Sequence, residues 1–513
     1  MKVALINSNR FKHPWPVIPF GLCCIAAALE NEGHGVQVLD LCFSRNPAND
    51  IHSTIENFRP DVVGISIRNI DNAGAYKTQF LLPQVNEEVI TPCKEVFSGP
   101  IVIGGPAVGI SGIQMLHFFD LPFAICGDGE AAMVEFVGRL ARKLPLDGIG
   151  GLVRREGGKI VEENPPLRIK DLDKLPFVRF QRYIDLRLYR RYNSPLQIQT
   201  KRGCALQCSY CTYNRIEGRE YRLRTPQQVA DDIERMVSET GINHIEFTDS
   251  TFNMPLDHAK AVLRALIEKG LDLNCRTLGL NPGAVDEELV DLMKKAGFQD
   301  VDLGIESGCD AMLRSLGKRF TKDAILQAGR LLHEKNIPIC WCLLLGAPGE
   351  TEETLRETFE TITRASSAWD LVAIGVGIRV YNGAPIAEQM KQENPACTAD
   401  DFLSPVGYSP ETLDLITIKM ITKRFFFRNL NFVIIDEDDL LPDAVMKAVY
   451  AVKRLFAPRQ PNWKMYLLKR RLQKYTGSST IASLIFDLKH RKLLSELKQK
   501  RKEATAGGVD DLV

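Results

Sequence analysis

The first part of the chain alternates continuous apolar runs with amphipathic stretches. The runs read "KVALINS", "GVQVLDL", "VVGISI", "PIVIGGP" and "FAICGDGE". Unbroken apolar runs are typical of strands that are buried on both faces of a parallel sheet. Stretches such as "GLCCIAAALENEGH" and "EAAMVEFVGRLAR" carry the helical period between them. This pattern predicts a flavodoxin-like doubly wound domain over residues 1–145.

Small and polar residues follow the predicted strands of this domain. The loops read "NSNRFKHPWP", "RNIDN", "GGPAVG" and "GDGE". Any one of them could simply make a tight turn. Ligands of doubly wound domains lie beyond the carboxyl ends of the strands, so four such loops on one rim favour a crevice for a bulky cofactor.

A second strand-helix pattern begins after a predicted linker at residues 146–190, which contains a hairpin-like segment, "GGLVRREGGKIVEE". Over residues 191–395 the unit repeats roughly every 30 residues, and its strands read "LQIQTK", "INHIEFTD", "LDLNCRT", "QDVDLGIES", "IPICWCLLLG" and "DLVAIGVGIRV". Six units predict a partial (β/α)6 barrel of the TIM type, with its chemistry at the carboxyl ends of the strands. Residues 396–513 are predicted to form a mostly helical, basic region.

Composition indicates the cellular compartment in which the protein is expected. The chain has 513 residues, a net charge of +1 and thirteen cysteines. No apolar run reaches the roughly 18 residues of a spanning helix, so a cytoplasmic location is expected. Because the cytosol keeps thiols reduced, the cysteines are interpreted as packed side chains or metal ligands.

The end of the chain is strongly basic. Between Lys447 and Lys502 there are sixteen Lys or Arg residues against two acids. Amphipathic helices here could make peripheral contact with an anionic membrane, or they could form a helical cap with a solvated basic face. Aromatic stacking platforms are not evident, so a nucleic-acid partner is not expected.

Three cysteines, Cys204, Cys208 and Cys211, lie close together in "TKRGCALQCSYCTYN", directly after the first barrel strand. A structural zinc site usually takes four ligands, and the nearest other candidates, His244 and Cys275, are on later strands, so zinc would be incompletely held. A cubic iron-sulfur cluster also normally takes four cysteines. Three would leave one iron free to bind a molecule that carries an amine and a carboxylate.

The segment "CALQCSYC" resembles the cluster loop of the radical S-adenosylmethionine (SAM) enzymes, and the resemblance covers about residues 195–385. It implies a 4Fe-4S cluster that binds SAM and cleaves it to a 5'-deoxyadenosyl radical. Residues that it implies as SAM contacts are Tyr210 near adenine, Asp249 and Ser250 in "FTDSTFN", and Glu306 or Ser307 in "GIESG". In "FTDSTFN", Thr248, Asp249 and Ser250 replace the commoner Gly-Gly-Glu. Arg276 and Arg379 could meet a carboxylate or phosphate at the mouth, or could form surface salt bridges.

The first domain resembles the cobalamin-binding domain of the cobalamin-dependent radical SAM enzymes, through "PFGLCCIAAALENEGH" and the glycine loops near its end. The Asp-x-His-x-x-Gly sequence, which supplies an axial histidine in many methyltransferases, is missing. The resemblance therefore implies cobalamin without a histidine beneath cobalt. Residues expected nearest to that face are Arg68, Asn69 and Asp71, and the other expected cobalamin contacts are Gly104, Gly105, Gly127, Gly129 and Glu130.

The function that the resemblance implies is methyl transfer to an unactivated carbon, by means of the deoxyadenosyl radical and methylcobalamin. The substrate would be a small or lipid-like molecule, and the electron donor a flavodoxin or ferredoxin; no catalytic residue is identified. One alternative is oxidation, cyclisation or carbon-carbon coupling of a lipid or tetrapyrrole without methyl transfer. Another is a non-catalytic cobalamin or metal sensor. A methylthiotransferase acting on transfer RNA would need three further cluster cysteines, a pattern that the first domain does not contain.

Overall fold

The first domain is built on one sheet with helices on both faces. The computed structural model describes residues 1–12, 15–74, 78–393, 396–426, 431–435, 443–456 and 460–464. The strands of this domain are β1 (Lys2–Asn7), β2 (Gly35–Asp40), β3 (Val62–Ser66), β4 (Ile101–Gly104), β5 (Phe123–Ile125), β6 (Leu152–Glu156) and β7 (Lys159–Glu163). The helices are α1 (Phe20–Asn31), α2 (Pro47–Phe58), α3 (Leu82–Val85), α4 (Thr91–Val96), α5 (Pro106–Phe119) and α6 (Gly129–Ala141). A π-helical turn, Asn86–Ile90, joins α3 to α4.

The sheet has the strand order β2-β1-β3-β4-β5-β6-β7, and its first five strands are parallel. The order 2-1-3-4-5 is that of the flavodoxin-like fold, so the predicted class is confirmed. Alternate residues of β1 point to opposite faces. Ala4 and Ile6 pack in the core with α2 and α5, and Val3 and Leu5 pack in the core with α1 and α6. Burial on both faces explains the unbroken apolar runs.

The hairpin that the sequence placed in the linker extends this sheet instead. β6 pairs antiparallel with β5, and β7 pairs antiparallel with β6. Gly157 and Gly158, both with positive φ, make the tight turn between them. Leu152 and Val153 of β6 are buried in the cores of the domain. The connection to the barrel is formed by the later segment, which contains α7 (Phe180–Tyr183) and α8 (Leu186–Arg190).

All six predicted strands of the partial barrel are present. The strands from this point to the end of the barrel are β8 (Leu196–Ile198), β9 (Lys201–Arg202), β10 (Arg222–Leu223), β11 (His244–Phe247), β12 (Asn274–Thr277), β13 (Val301–Glu306), β14 (Ile339–Leu345), β15 (Leu371–Val376) and β16 (Ile378–Val380). The helices are α9 (Tyr213–Ile216), α10 (Pro226–Thr240), α11 (Leu256–Glu268), α12 (Glu287–Lys295), α13 (Asp310–Ser315), α14 (Lys322–Glu334) and α15 (Glu352–Ala365). Strands β8, β11 and β12 form one parallel group, and β13, β14 and β15 form another. Isolated bridges, Cys275 with Phe298 and Leu280 with Leu303, join the two groups.

The region after the barrel contains strands that the sequence did not predict. Its elements are α16 (Pro385–Glu393), β17 (Val406–Tyr408), α17 (Leu415–Phe426), β18 (Phe432–Ile434) and α18 (Asp443–Phe456). β18 pairs in parallel with β15, so it adds a seventh strand to the barrel wall. The compact unit that holds all these elements spans Met1–Pro461, and of the second unit, Asn462–Val513, the structure describes residues 462–464. The predicted basic helices beyond residue 464 lie outside the described residues.

None of the helices in the described ranges is long and apolar enough to cross a membrane.

Candidate active site

The three predicted cluster cysteines lie on the loop that follows β8 at the mouth of the barrel. The short antiparallel pair of β9 and β10 closes the base of this loop. Gly203, at the start of the loop, has a φ of +97°, and a Cβ there would overlap the carbonyl oxygen of Glu220. The backbone N–H of Cys204 donates to Gly218 O at 2.9 Å. The backbone therefore folds the loop by contacts that do not involve the thiols.

The thiols themselves fit an iron-sulfur cluster. Cys204 and Cys208 are buried and Cys211 is half-buried. Burial raises the pKa of Cys208, and it raises the pKa of Cys211 to about 12, so a nearby positive charge is needed to hold these groups as thiolates;. In the described parts of the chain, no three metal-ligating side chains converge on a single-ion site. A cubane presents separate irons to separate thiolates, so this spread of soft donors is compatible with it.

A carboxylate with one free oxygen lies beside this loop. Glu306, at the end of β13, has a φ of +58° and is 8% exposed. Tyr210 OH donates to its Oε1, and Lys318 Nζ also donates to Oε1 at 2.7 Å. Oε2 is buried and has no hydrogen-bond partner. Glu306 therefore presents an unused acceptor at the mouth, where the resemblance implied a SAM contact.

Lys318 is a site residue that the sequence did not reveal. Its Nζ donates a 3.1 Å hydrogen bond to Tyr210 OH. Its positive charge lowers the pKa of the Cys208 thiol, although burial keeps that pKa raised overall. Gly317, with a φ of +71°, brings the chain against the backbone of Gln207 and so places Lys318 at the cluster loop. Its positive charge, opposite to that of Glu306, is the one sequence signal that could have identified Lys318 as a site residue.

Three other residues implied as SAM contacts are engaged inside the protein. Asp249 accepts hydrogen bonds from Thr200 N at 2.8 Å and Thr200 Oγ1 at 2.7 Å. Ser250 Oγ donates to Gly203 O at 3.1 Å. Ser307, 1% exposed, exchanges a 2.8 Å hydrogen bond with Thr358. These hydrogen bonds hold the strand ends and the cluster loop, and the role of the three residues as SAM contacts stays a prediction.

Two glycines of the predicted cobalamin loops pack closely against neighbouring backbone. Gly105 has a φ of +102°, and a Cβ there would lie 2.6 Å from Ile67 O. Gly127 has a φ of +99°, and its Cβ would lie 2.7 Å from Leu167 O in the linker. Gly104 and Gly129 lie next to these two positions, at the end of β4 and the start of α6. Side chains at Gly105 and Gly127 would push this backbone away, so the glycines keep the rim closely packed.

A groove that is open to solvent, with about 430 Å³ of empty space including that solvent, lies beyond the carboxyl ends of β1 and β3. Its polar lining is supplied by Ser8, Asn9, Arg10, Arg68, Asn69, Gln84 and Glu88. Arg68 is exposed and Asn69 is half-buried. These donors and acceptors suit the amide-rich edge of a corrin, so this side of the domain fits cobalamin.

Asp71 and Glu130, the two acidic residues predicted at the cobalamin site, face the barrel. Asp71, 2% exposed, accepts hydrogen bonds from Arg379 Nε at 2.7 Å and from Tyr381 OH at 2.7 Å. Glu130 accepts hydrogen bonds from two nitrogens of Arg202 at 3.1 and 2.5 Å. Asp71 and Glu130 thus attach loops of the first domain to the barrel region, and their contact with cobalamin stays a prediction.

Arg276 and Arg379 form salt bridges that are buried, not on the surface as the sequence suggested. Arg276, 4% exposed, lies on the inner face of the barrel and contacts Glu246, Asp300 at 3.2 Å and Asp302 at 3.1 Å. Burial raises the pKa of Asp302 to about 6. Burying charge is tolerated here because each group is paired.

Small side chains occupy the inner face above this ion-pair network. Outward residues of β13, β14 and β15 belong to the core beneath the helices, whereas the alternate residues point inward. Inward positions that remain half-buried include Asp302 of the network, Leu344, and the small residues Thr248, Gly304, Cys342, Ala373 and Gly375. Complete barrels fill these layers with bulky branched residues. Most inward positions between the network and the cluster loop therefore carry small side chains.

The fold and the site together define a radical SAM enzyme with a B12-binding domain. The family model for the radical SAM superfamily matches residues 198–362, and the model for the B12 binding domain matches residues 14–137. The chain therefore combines a B12-binding domain with a radical SAM domain, which confirms the resemblance and the three cofactors that it implied.

Relatives with different activities share this architecture. The chain is 27% identical to an uncharacterized methyltransferase of Pyrococcus horikoshii, over 67% of this chain and 72% of the relative. It is also 27% identical to the anaerobic magnesium-protoporphyrin IX monomethyl ester cyclase of Rubrivivax gelatinosus, over 70% of this chain and 65% of the relative. A solved structure of the radical SAM methyltransferase TsrM from Kitasatospora setae, with tryptophan and a SAM analogue bound, matches with a TM-score of 0.70 and 28% identity, over 76% of each chain.

Proposed function

We propose that this chain is a cobalamin-dependent radical SAM C-methyltransferase that acts on an unactivated carbon of a small-molecule substrate. The observation that carries the proposal is the attachment of the three-cysteine loop, at the barrel mouth, to the glycine loops of the B12-binding domain through buried ion pairs. When bound, the cluster supplies the electron that cleaves SAM, and cobalamin carries the methyl group.

Each side chain at the mouth has a distinct task. Cys204, Cys208 and Cys211 would hold the cluster and leave one coordination position for SAM. Glu306 Oε2 would accept a hydrogen bond from SAM, and the ammonium of Lys318 would offset its carboxylate. Tyr210 fixes the orientation of Glu306 through its hydroxyl group.

The B12-binding domain supplies the second half of the site. Arg68 and Asn69 face cobalamin from the groove beyond β1 and β3. The backbone of Gly104, Gly105, Gly127 and Gly129 lines the rim against which the corrin lies.

The substrate occupies the inner face of the barrel. Small residues line much of that face below the cluster loop, and the Arg276 network forms its floor. A substrate held between the floor and the mouth presents a carbon to both cofactors without leaving the barrel.

Anaerobic reconstitution with iron, sulfide and hydroxocobalamin tests the proposal. Cobalamin bands beside an iron-sulfur shoulder in the absorption spectrum are expected. A product one methylene heavier than its substrate, with two SAM molecules consumed, would support methyl transfer. Chain that binds both cofactors but forms no 5'-deoxyadenosine with a strong reductant, across candidate substrates, would indicate a sensor instead.

A second candidate is oxidative cyclisation or coupling without methyl transfer, and the cyclase relative favours it. An unmethylated product, formed with one SAM per turnover, would identify this reaction.

The proposal also covers the cellular location of the reaction and its partners. The thirteen cysteines include no disulfide among the described residues, which supports a cytoplasmic location where thiols stay reduced;. A flavodoxin or ferredoxin is the proposed electron donor. Peripheral membrane contact through the basic end of the chain remains a prediction.

A further inference from the structure

Two buried acids of the first domain form ion pairs with arginines of the linker and the barrel region. Asp128 and Glu130, here called the carboxylate hub, are 5% and 4% exposed. Arg202 donates to both oxygens of Glu130. Arg222 donates to Asp128, and Arg168 Nη1 lies 3.8 Å from the same carboxylate.

Each of these arginines also holds the cluster loop. Arg202 lies two residues before Cys204. Arg222 Nη2 donates to Glu217 O at 2.7 Å, beyond the third cysteine. Arg168 donates to Ile216 O at 2.5 Å and to Arg215 O at 2.6 Å. Both ends of the cluster loop are therefore attached to the hub.

The hub also belongs to the cobalamin loop. Asp128 follows Gly127, whose positive φ shapes the rim, and Glu130 is the second residue of α6. Breaking a buried ion pair by removing one partner is costly, since it leaves an unpaired buried charge. A ligand that orders one of the two loops therefore orders the other through the hub.

We propose that the carboxylate hub couples the two cofactor sites, so that cobalamin binds more tightly when the iron-sulfur cluster is in place. Glu130 and Arg202 act as positioning residues, and the inference rests on the proposed function. Because the cluster and cobalamin share the cost of ordering these loops, the coupling is positive and reciprocal.

The test compares cobalamin affinity with and without the cluster. Hydroxocobalamin is titrated anaerobically into full-length chain, either cluster-free or reconstituted, and binding is followed by absorbance. We expect the cluster to lower the wild-type Kd at least about fivefold. In Glu130→Gln the ratio falls to about one, because the amide keeps the shape but loses the ion pair. Arg202 in this variant still has Asp128 at 3.7 Å, which favours folding.

Two further variants distinguish a loss of coupling from a general destabilisation of the protein. Arg182→Met removes an exposed ion pair with Glu30, 3.0 Å long, between the same two regions, and it retains the wild-type ratio. The double variant Glu130→Gln with Arg202→Gln gives nearly the same ratio as Glu130→Gln alone, since the close ion pair between the two residues is already lost in the single variant.

Each outcome has a defined meaning. A wild-type chain that binds both cofactors with a ratio of one overturns the coupling and leaves the proposed function standing. So does a Glu130→Gln variant that retains the wild-type ratio. A chain that assembles the cluster but binds no hydroxocobalamin overturns the coupling and the proposed function together.

Discussion

Glu306 is held in a conformation that a non-glycine residue rarely adopts. Its positive φ lies at the end of a strand, where Tyr210 and Lys318 fix one carboxylate oxygen and leave the other free. Strain of this kind costs about 1–3 kcal/mol and persists where the surroundings over-determine it. The acceptor is thus oriented before SAM arrives, which reduces the ordering that binding requires.

Lys318→Met is expected to weaken SAM binding to the reconstituted chain by roughly 10- to 100-fold. A charge-assisted hydrogen bond contributes about 1.5–3 kcal/mol, and methionine retains the length of the stem without the ammonium. Equilibrium binding of SAM under anaerobic conditions measures the effect. Lys322→Met, which removes a half-exposed pair with Glu357, is the matched control and should bind normally. Equal affinity in the two variants would remove Lys318 from the site.

Alanine at Cys204, Cys208 or Cys211 is expected to abolish cluster assembly while the circular dichroism spectrum stays that of the wild type. The loop is folded by its backbone, so losing one thiol removes a ligand without unfolding the hairpin. Iron content after reconstitution measures the loss. Cys397→Ala, at a half-buried cysteine outside the loop, should bind iron as the wild type does. Full iron content in any of the three loop variants would contradict the assignment.

Sequence spacing predicted that the cysteines lie on one loop, but it did not predict the positions of the charged residues around them. Three thiols within eight positions on one loop stay together in any fold. Lys318, Asp71 and Glu130 instead depend on which way a loop turns, and that is decided by partners on distant segments such as Arg379 and Arg202. Charge alone could not tell a cofactor contact from a buried ion pair.

At the level of elements, the cluster loop depends on a turn that only glycine can make. Gly203→Ala is expected to disrupt the pairing of β9 with β10 and to lower iron content after reconstitution at least several-fold. The added methyl group would overlap a backbone carbonyl oxygen, which cannot move aside as a flexible side chain would. Iron analysis with thermal unfolding measures the change.

Gly148→Ala is the control for Gly203→Ala, because it measures the cost of the backbone conformation without a steric overlap. Gly148 also has a positive φ, +73°, but nothing lies within 4 Å of its would-be Cβ. This variant should lose about 1 kcal/mol of stability and retain full iron content. If both glycine variants assembled the cluster equally well, the steric argument would fail.

Hydrophobic patterning predicted the strands of both domains because the residues of each strand themselves determine which of its faces are apolar. It did not place β6 and β7 at the edge of the first sheet, since strand neighbours depend on long-range pairing. β18 was missed for the same reason: it is three residues long, and its partner β15 lies about 60 positions earlier. Such a short segment carries too little periodicity to be recognised.

At the level of the whole molecule, the two domains are joined by charges that water does not reach. Asp71 of the first domain pairs with Arg379 of the barrel region, and their side chains are 0% and 2% exposed. The guanidinium also donates to Phe402 O at 3.1 Å. A fixed separation between the two cofactor sites follows from these contacts.

Asp71→Asn is expected to destabilise the chain by about 3–5 kcal/mol, because it leaves the buried charge of Arg379 without its counter-ion. Differential scanning calorimetry of the cofactor-free chain measures the drop in thermal midpoint. Asp147→Asn removes an ion pair with Arg154 at a position that is 72% exposed, and it should change stability by less than about 1 kcal/mol;. Similar midpoints for the two variants would mean that the buried pair does not join the domains.

The hairpin of β6 and β7 has a practical consequence for work on the first domain alone. It covers β5, which would otherwise offer unpaired amide and carbonyl groups to strands of neighbouring molecules;. A fragment that stops at residue 145 would expose this edge and invite aggregation. Isolated cobalamin-binding fragments are therefore expected to remain in solution only if they retain the polypeptide through Glu163.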